Sequence, residues 1–431
     1  MSNLVNLNAA GIDISLKEHV VAVPEDRDKQ SVRSFKTFSE DLHLLAKWLK
    51  SCNIETVAME STGVYWYHLY TVLLDYGFTV DLVNAGHVKN VPGRKSDVSD
   101  ARWLQQLHSF GLLRGCFQPD NLTRSLRNFV RQRKTIITDR TTQIQRMQKA
   151  LEQMNVKLNN VIRDIDGKTG RTIIAKILEG ERDPVILSQY ADRRIKCTNK
   201  VLVKSLEGNW REEQLFNLRQ ASDHIAFLED QLTDCDREAE KIIRQFSSEE
   251  KDDLPTGGMR KSQPHFNVKQ YLYEIHGVDV TQIYGFKSTT ALTVFSEVGP
   301  NIKQQFPSQK QFLSWLNVVP DNKITGGKVI SSRVRKKKNR AGQSFRDAAN
   351  ALWNANNPLG EYLRYKKAKS GSRAAVVATA KKIASIYYHM IVEQEEFDPQ
   401  KLVVKSKEQL ARKLKKLQKS IERTEFQLAN I

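Results

Sequence analysis

Only four cysteines occur in 431 residues, at positions 52, 116, 197 and 235, and no two of them form a CxxC pair. That scarcity argues against a disulfide framework and against a cysteine-built zinc site, and predicts reduced thiols. No apolar run approaches the roughly 20 residues of a membrane span. The first residues, Met1-Ser2-Asn3-Leu4-Val5-Asn6, lack the basic segment and long apolar core of a secretory signal. A cytoplasmic location without a membrane partner is the expectation. Acidic residues are scarce in one stretch: residues 256–392 hold 6 Asp+Glu against 22 Lys+Arg, and residues 362–392 hold no acid. A net +16 concentrated there, in a chain of net +19, excludes a cationic partner and suits a polyanion. With no amphipathic anchor evident, nucleic acid is favoured over an anionic membrane.

The first hundred residues differ. They carry 10 Lys+Arg and 13 Asp+Glu, a net of −3. Short runs rich in Val, Phe and Thr at 20–23, 34–37, 56–59 and 78–83 read as strands. Apolar spacing at 42–49 and 65–74 reads as two helices. The order strand, return strand, strand, helix, strand, helix, strand is that of a ribonuclease-H-like (RuvC-like) domain. Further on, Val130, Ile137, Ile144, Leu151 and Leu158 repeat in sevens, beside a second seam of Met147, Met154 and Val161. A later series runs through Leu218, Ile225, Leu232, Ala239 and Phe246. Two heptad helices in one chain predict an antiparallel hairpin, a dimerising coiled coil, or both. The expected fold class is therefore α/β plus all-α. Its parts are a ribonuclease-H-like domain at 1–122, a helical hairpin at 123–250, a linker at 251–267, a mostly helical domain at 268–392 and a final helix at 393–431.

Four carboxylates stand out. Asp13 and Glu60 each end a largely apolar run, and Asp97 and Asp100 lie three apart at the start of a predicted helix. Two acids at strand ends and two on one helical face can meet at one point. Hard divalent cations need such oxygen donors, and Mg²⁺ or Mn²⁺ held this way activates attack on a phosphodiester. Asp97 and Asp100 also suit the first turn of a helix on capping grounds alone. A second constellation spans 319–340: Lys323, Ile324, Thr325, Gly326, Gly327 and Lys328, then Arg333, Arg335, Lys336, Lys337, Lys338 and Arg340. Eight basic residues and no acid lie between 323 and 340. A Gly-Gly loop exposes backbone N–H groups among those cations, which suits a phosphate backbone.

The segments Glu60-Ser61-Thr62-Gly63-Val64-Tyr65 and Lys95-Ser96-Asp97-Val98-Ser99-Asp100-Ala101, with the layout of the whole chain, resemble the DEDD transposases of the insertion-sequence one-ten family, its eleven-eleven subgroup in particular. Relatives of that family include a pilin-gene invertase and the bridge-RNA-guided recombinases. The resemblance implies a bacterial DNA recombinase with Asp13, Glu60, Asp97 and Asp100 as its Mg²⁺ ligands and catalytic acids. It implies a nucleophilic hydroxyl just before a glycine in the second constellation, where this chain has Thr325 instead of serine. Ser331 and Ser332 are the other hydroxyls in reach. Lys95, Lys323, Gly326, Gly327, Lys328 and the basic run to Arg340 become nucleic-acid contacts. Expected partners are element and target DNA, a structured bridge RNA, and further copies of the chain in a dimer or tetramer. The alternatives are a metal-dependent junction resolvase that uses water, or a nucleic-acid-binding protein that has lost catalysis.

Overall fold

The computed structural model describes residues 4–84, 97–247, 262–335, 339–402 and 407–429. The chain divides into two compact units, Met1–Gln118 and Pro119–Ile431.

The first unit is a five-stranded mixed sheet with helices. Strands β1 (Ala9–Ile14), β2 (Glu18–Ala22) and β3 (Val32–Lys36) precede helix α1 (Ser39–Ser51). Strand β4 (Thr56–Glu60), helix α2 (Trp66–Asp75), strand β5 (Thr79–Val83) and helix α3 (Asp97–Ser109) follow. The strand order is β3-β2-β1-β4-β5. The first three strands form an antiparallel meander, and β4 and β5 add in parallel beside β1. This is the ribonuclease-H-like order expected from the sequence.

Alternation along the strands sorts residues onto two faces. Ile12, Ile14, Val57 and Met59 join a buried cluster with Leu42, Leu45 and Leu49 of α1 and Leu69 and Leu73 of α2. Each such leucine contributes about 2 kcal/mol on burial. Helix α1 is placed there by its apolar stripe, with Glu40 and Asp41 in its first turn and Lys50 in its last, as the helix dipole favours. The opposite face carries Val20 and Ala22, packed on Ala101 of α3.

The second unit begins with two 33-residue helices, α4 (Asn121–Gln153) and α5 (Glu212–Arg244). They are antiparallel, because Arg133 meets Asp236 while Arg140 meets Glu229. The sevens therefore build a hairpin within the chain. The seam departs from a simple apolar heptad in two ways. Helix α4 stops at Gln153, where Asn155 takes a φ of 58°, so Leu158 and Val161 fall in a separate short helix. The buried face of α4 also carries Arg124, Arg127, Arg133 and Arg140. Four short helices between residues 158 and 206 cap one end around Ile173, Ile174, Ile177 and Leu202. There Asp166 and Glu229 hold Arg140 and Arg171 in a half-buried ionic cluster.

Helices α6 (Val268–His276), α7 (Ser288–Val298), α8 (Gln309–Trp315), α9 (Arg340–Asn350) and α10 (Pro358–Glu393) build the C-terminal part, with α11 (Lys407–Ala429) last. Phe286, Phe312, Phe345 and Tyr387 form its aromatic centre. Arg131 grips Glu297 of α7 with two hydrogen bonds of 2.9 and 2.8 Å, and Arg127 donates to the Glu297 carbonyl at 3.0 Å, which ties α4 to this part. The run α10 is not one rod. Gly371 breaks it at φ 78°, and Tyr362 meets both Lys366, four residues on, and Lys382 from beyond the break. A continuous helix would hold residues 362 and 382 about 30 Å apart, so the two limbs fold back on each other. The expected linker at 251–267 lies outside the described residues up to 261. Among the described residues no helix is long and apolar enough to cross a membrane.

Candidate active site

Three of the four carboxylates are brought to one end of the sheet. Ile12 of β1 pairs with Met59 of β4, so the next position places Asp13 beside Glu60 on neighbouring parallel strands. Such strands lie about 4.8 Å apart. Ile12 and Met59 point into the α1/α2 core, so Asp13 and Glu60 fall on the opposite face, under α3. Both are half-buried, and Thr62 donates to Glu60 Oε1 at 3.3 Å.

Helix α3 runs antiparallel to β1. The Val5 amide donates to the Ser109 carbonyl at 2.9 Å, Gln105 reaches the Ala9 carbonyl at 3.4 Å, and Ala101 sits over Gly11. The start of α3 therefore overlies the end of β1, and Asp100, half-buried, arrives at the end that carries Asp13 and Glu60. Asp97 is the first residue of the helix. Its side chain lies outside the described residues, as does Lys95.

Gly11 makes this approach feasible. A Cβ there would meet the Gln105 Cα at 2.9 Å and the Gln105 nitrogen and Ala101 carbonyl closer still. The far end of α3 is pinned by His108, which is 2% exposed. Its Nε2 lies 2.8 Å from Thr56 Oγ1 and its Nδ1 3.8 Å from Asp81 Oδ2. Burial pulls the His108 pKa down, and Asp81 opposes this. The His108 ring thus links α3 to β4 through Thr56 and lies close to Asp81 of β5.

The donor set is all carboxylate oxygen, the chemistry a hard divalent cation takes. Among the described residues no three His, Cys, Asp or Glu side chains close around a common point. The fit is one of donor type and convergence at one sheet end, with Asp13, Glu60 and Asp100 as the described donors.

The second constellation forms a hairpin rather than an open loop. Strands β6 (Lys323–Thr325) and β7 (Lys328–Ser331) pair antiparallel, with Thr325 opposite Lys328. Gly326 and Gly327 take φ values of 55° and 76°, the two left-handed positions of a tight two-residue turn. Thr325 is exposed at this tip, as are Lys323, Gly326, Gly327 and Lys328. The base of the hairpin is fixed. Asp321 accepts from Arg335 at 3.1 Å and its amide donates to the Arg333 carbonyl at 2.9 Å, while Asn317 donates to the Arg335 carbonyl at 2.7 Å. Hydrogen bonding from Arg335 holds the Asp321 carboxyl below its ordinary pKa. Arg333 and Arg340 are exposed, with Arg340 opening α9. Lys336, Lys337 and Lys338 lie outside the described residues. Ser331 is half-buried and Ser332 exposed.

Sequence reasoning missed the His108 bridge, whose partners lie 52 and 27 positions away. It also missed a cavity at the same sheet end, lined by Ser15, His19, Tyr65, Tyr67 and His68. The only sequence signal was the aromatic run at 65–67.

Two protein families match the chain. Residues 10–156 match a DEDD transposase family of the IS110 type, described as "Transposase". Residues 279–364 match the "Transposase IS116/IS110/IS902 family". The first match takes in the sheet, α3 and α4, with Asp13, Glu60, Asp97 and Asp100. The second takes in the hairpin with Thr325 and continues into α10. Together they span just over half of the chain. No curated protein matches it.

Proposed function

Since the chain belongs to the IS116/IS110/IS902 family of DEDD transposases, we propose that it is the recombinase of an insertion element that cuts and rejoins DNA through a covalent intermediate on Thr325. The observation that carries this reading is the adjacency of Asp13 and Glu60 on neighbouring strands, with the acidic start of α3 above them. The family uses divalent metal, and Asp13, Glu60, Asp97 and Asp100 are the residues that would hold Mg²⁺. When bound, the cation offsets phosphate charge and polarises the phosphorus–oxygen bonds.

Thr325 supplies the nucleophile. Its Oγ forms a bond to phosphorus, the bond from phosphorus to one deoxyribose oxygen breaks, and the hydroxyl proton ends on that leaving oxygen. The phosphothreonine keeps the phosphodiester's energy, so a deoxyribose hydroxyl of another strand reverses the step without a nucleotide cofactor. The threonine methyl restricts χ1, and the tight Gly326-Gly327 turn fixes the backbone that presents it. Lys323, Lys328, Arg333, Arg335 and Arg340, with Lys95 and Lys336–Lys338, neutralise backbone phosphates.

The same basic surface accommodates a structured bridge RNA that specifies target and donor sites. Self-association fits α11, which exposes Leu414, Leu417, Ile421 and Leu428 at coiled-coil spacing. Its first half is rich in Lys and Arg, and its second half sets Glu422 and Glu425 beside Lys419 and Arg423.

The test is a denaturing gel of the protein incubated with labelled element-end DNA, Mg²⁺ and co-purified RNA. The expected result is a slow-migrating protein–DNA adduct, absent from Thr325→Ala and present in Ser331→Ala. Cleavage that persists in Thr325→Ala without an adduct would assign the nucleophile to water and the protein to the junction resolvases. Activity indifferent to Glu60→Gln and Asp100→Asn would remove catalysis from the reading.

A further inference from the structure

The ends of β1 and β4 carry the acids on the α3 face and a cavity of about 510 Å³ on the other side. Ser15 lies two residues past Asp13, a Cα separation of at most about 7 Å. Tyr65 follows Glu60 by five. The cavity therefore lies at the sheet end that carries the acids, on the opposite face.

Its lining has a definite chemistry. No Lys, Arg, Asp or Glu contributes to it. Tyr65 and Tyr67 are 41% and 43% exposed. The Tyr65 ring lies against Gly63, whose φ is 54° and whose absent Cβ would sit 3.4 Å from that ring. His19, only 2% exposed, contributes part of its imidazole to the wall. Burial pulls the His19 pKa down, against a backbone hydrogen bond at Glu18 that raises it. A phosphate would find no cation here. A flat, uncharged ring finds two tyrosines and the edge of an imidazole. The volume falls within the usual range for small-ligand sites, roughly 300–1,000 Å³.

We propose that this cavity receives an unstacked nucleobase next to the phosphodiester held at Asp13 and Glu60. The inference rests on the recombinase reading and adds how the substrate is gripped. Exchanging strands requires bases beside the cut to leave the helix stack, which costs a few kcal/mol. Stacking on tyrosine offsets that cost without demanding a particular base.

The experiment uses the full chain with element-end duplexes. 2-Aminopurine replaces one base at a time on either side of the mapped cut, and Ca²⁺ replaces Mg²⁺ to hold the complex uncut. On binding wild type, the probe brightens several-fold at one position as it leaves the stack. Tyr65→Ala/Tyr67→Ala loses that signal and binds about tenfold more weakly, while Tyr65→Phe/Tyr67→Phe retains both. Thermal melting of the variants, whose rings are already two-fifths exposed, separates pocket loss from unfolding. A double alanine variant that fails to fold passes the decision to Tyr65→Ala alone. Wild type that binds and cuts with no bright position, or an alanine variant as bright as wild type, overturns the pocket and leaves the recombinase reading standing. Wild type that neither binds nor cuts overturns the recombinase reading, and the pocket falls with it.

Discussion

Replacing Gly11 with alanine tests whether the spacing of α3 from β1 sets the catalytic geometry. The added methyl would lie 2.9 Å from the Gln105 Cα, with the Gln105 nitrogen and Ala101 carbonyl nearer. Ordinary carbon contacts need 3.5–4.0 Å, so the helix must withdraw by about 1 Å. All the close atoms are backbone, so no side chain can swing aside. Asp97 and Asp100 ride on that helix, and Asp13 and Glu60 stay on the strands. A displacement of about 1 Å in a reacting constellation costs roughly 100-fold in rate. The assay is single-turnover cleavage of labelled element-end DNA in Mg²⁺, alongside a thermal melt. Gly77→Ala is the control. Gly77 sits at φ 77° with open space around its Cβ position, so the substitution costs about 1 kcal/mol of backbone strain without moving α3. The expected outcome is a loss of about 100-fold for Gly11→Ala and a near wild-type rate for Gly77→Ala. Wild-type cleavage by a folded Gly11→Ala protein would refute the reasoning.

Further outcomes follow from other parts of the molecule. His276 is buried among Phe295 and Tyr387, and burial lowers its pKa to about 4. Its stabilising contribution is complete above about pH 6.5 and is lost as pH falls toward 4, because only the unfolded chain takes the proton readily. Wild type should lose up to roughly 3 kcal/mol across that window relative to His276→Leu, measured by denaturant melts at each pH. Asp236→Ala leaves Arg133 buried and unpaired and should cost about 3–5 kcal/mol in the same melts. Lys328→Ala/Arg333→Ala should flatten the log–log salt dependence of duplex binding by up to about 0.9 for each phosphate that is no longer neutralised, read by anisotropy titration. Leu417→Asp in α11 should lower the mass seen by analytical ultracentrifugation without changing the melting temperature, since that side chain is 53% exposed within one chain.

Local pattern carried the N-terminal unit far. Strand periodicity located β2 to β5, and the acids at the ends of β1 and β4 were legible because a strand terminus is a local event. Their adjacency was not legible, because it depends on the parallel register of Ile12 with Met59. The sevens in α4 and α5 were legible as helices. Their antiparallel pairing is fixed by Arg133 with Asp236 and Arg140 with Glu229, acids that stand 103 and 89 positions from their partners. Leu158 extended the count of sevens by coincidence: it is buried in the short-helix cluster after the chain has turned at Asn155. The Gly326-Gly327 pair announced a turn, but whether it closed a loop or a two-residue hairpin depended on cross-strand bonds that spacing does not reveal.

The ionic rungs between α4 and α5 make that pair a ruler. Thirty-three helical residues span about 50 Å. Sliding one rod past the other by a turn would strand Asp236 and Arg140 away from their counterparts, so the length cannot drift. What lies at the Ile173 end is thereby held at a set distance from Glu297 at the other. Deleting one heptad from each rod, opposite one another, would shorten that span by about 10 Å while keeping every face in phase.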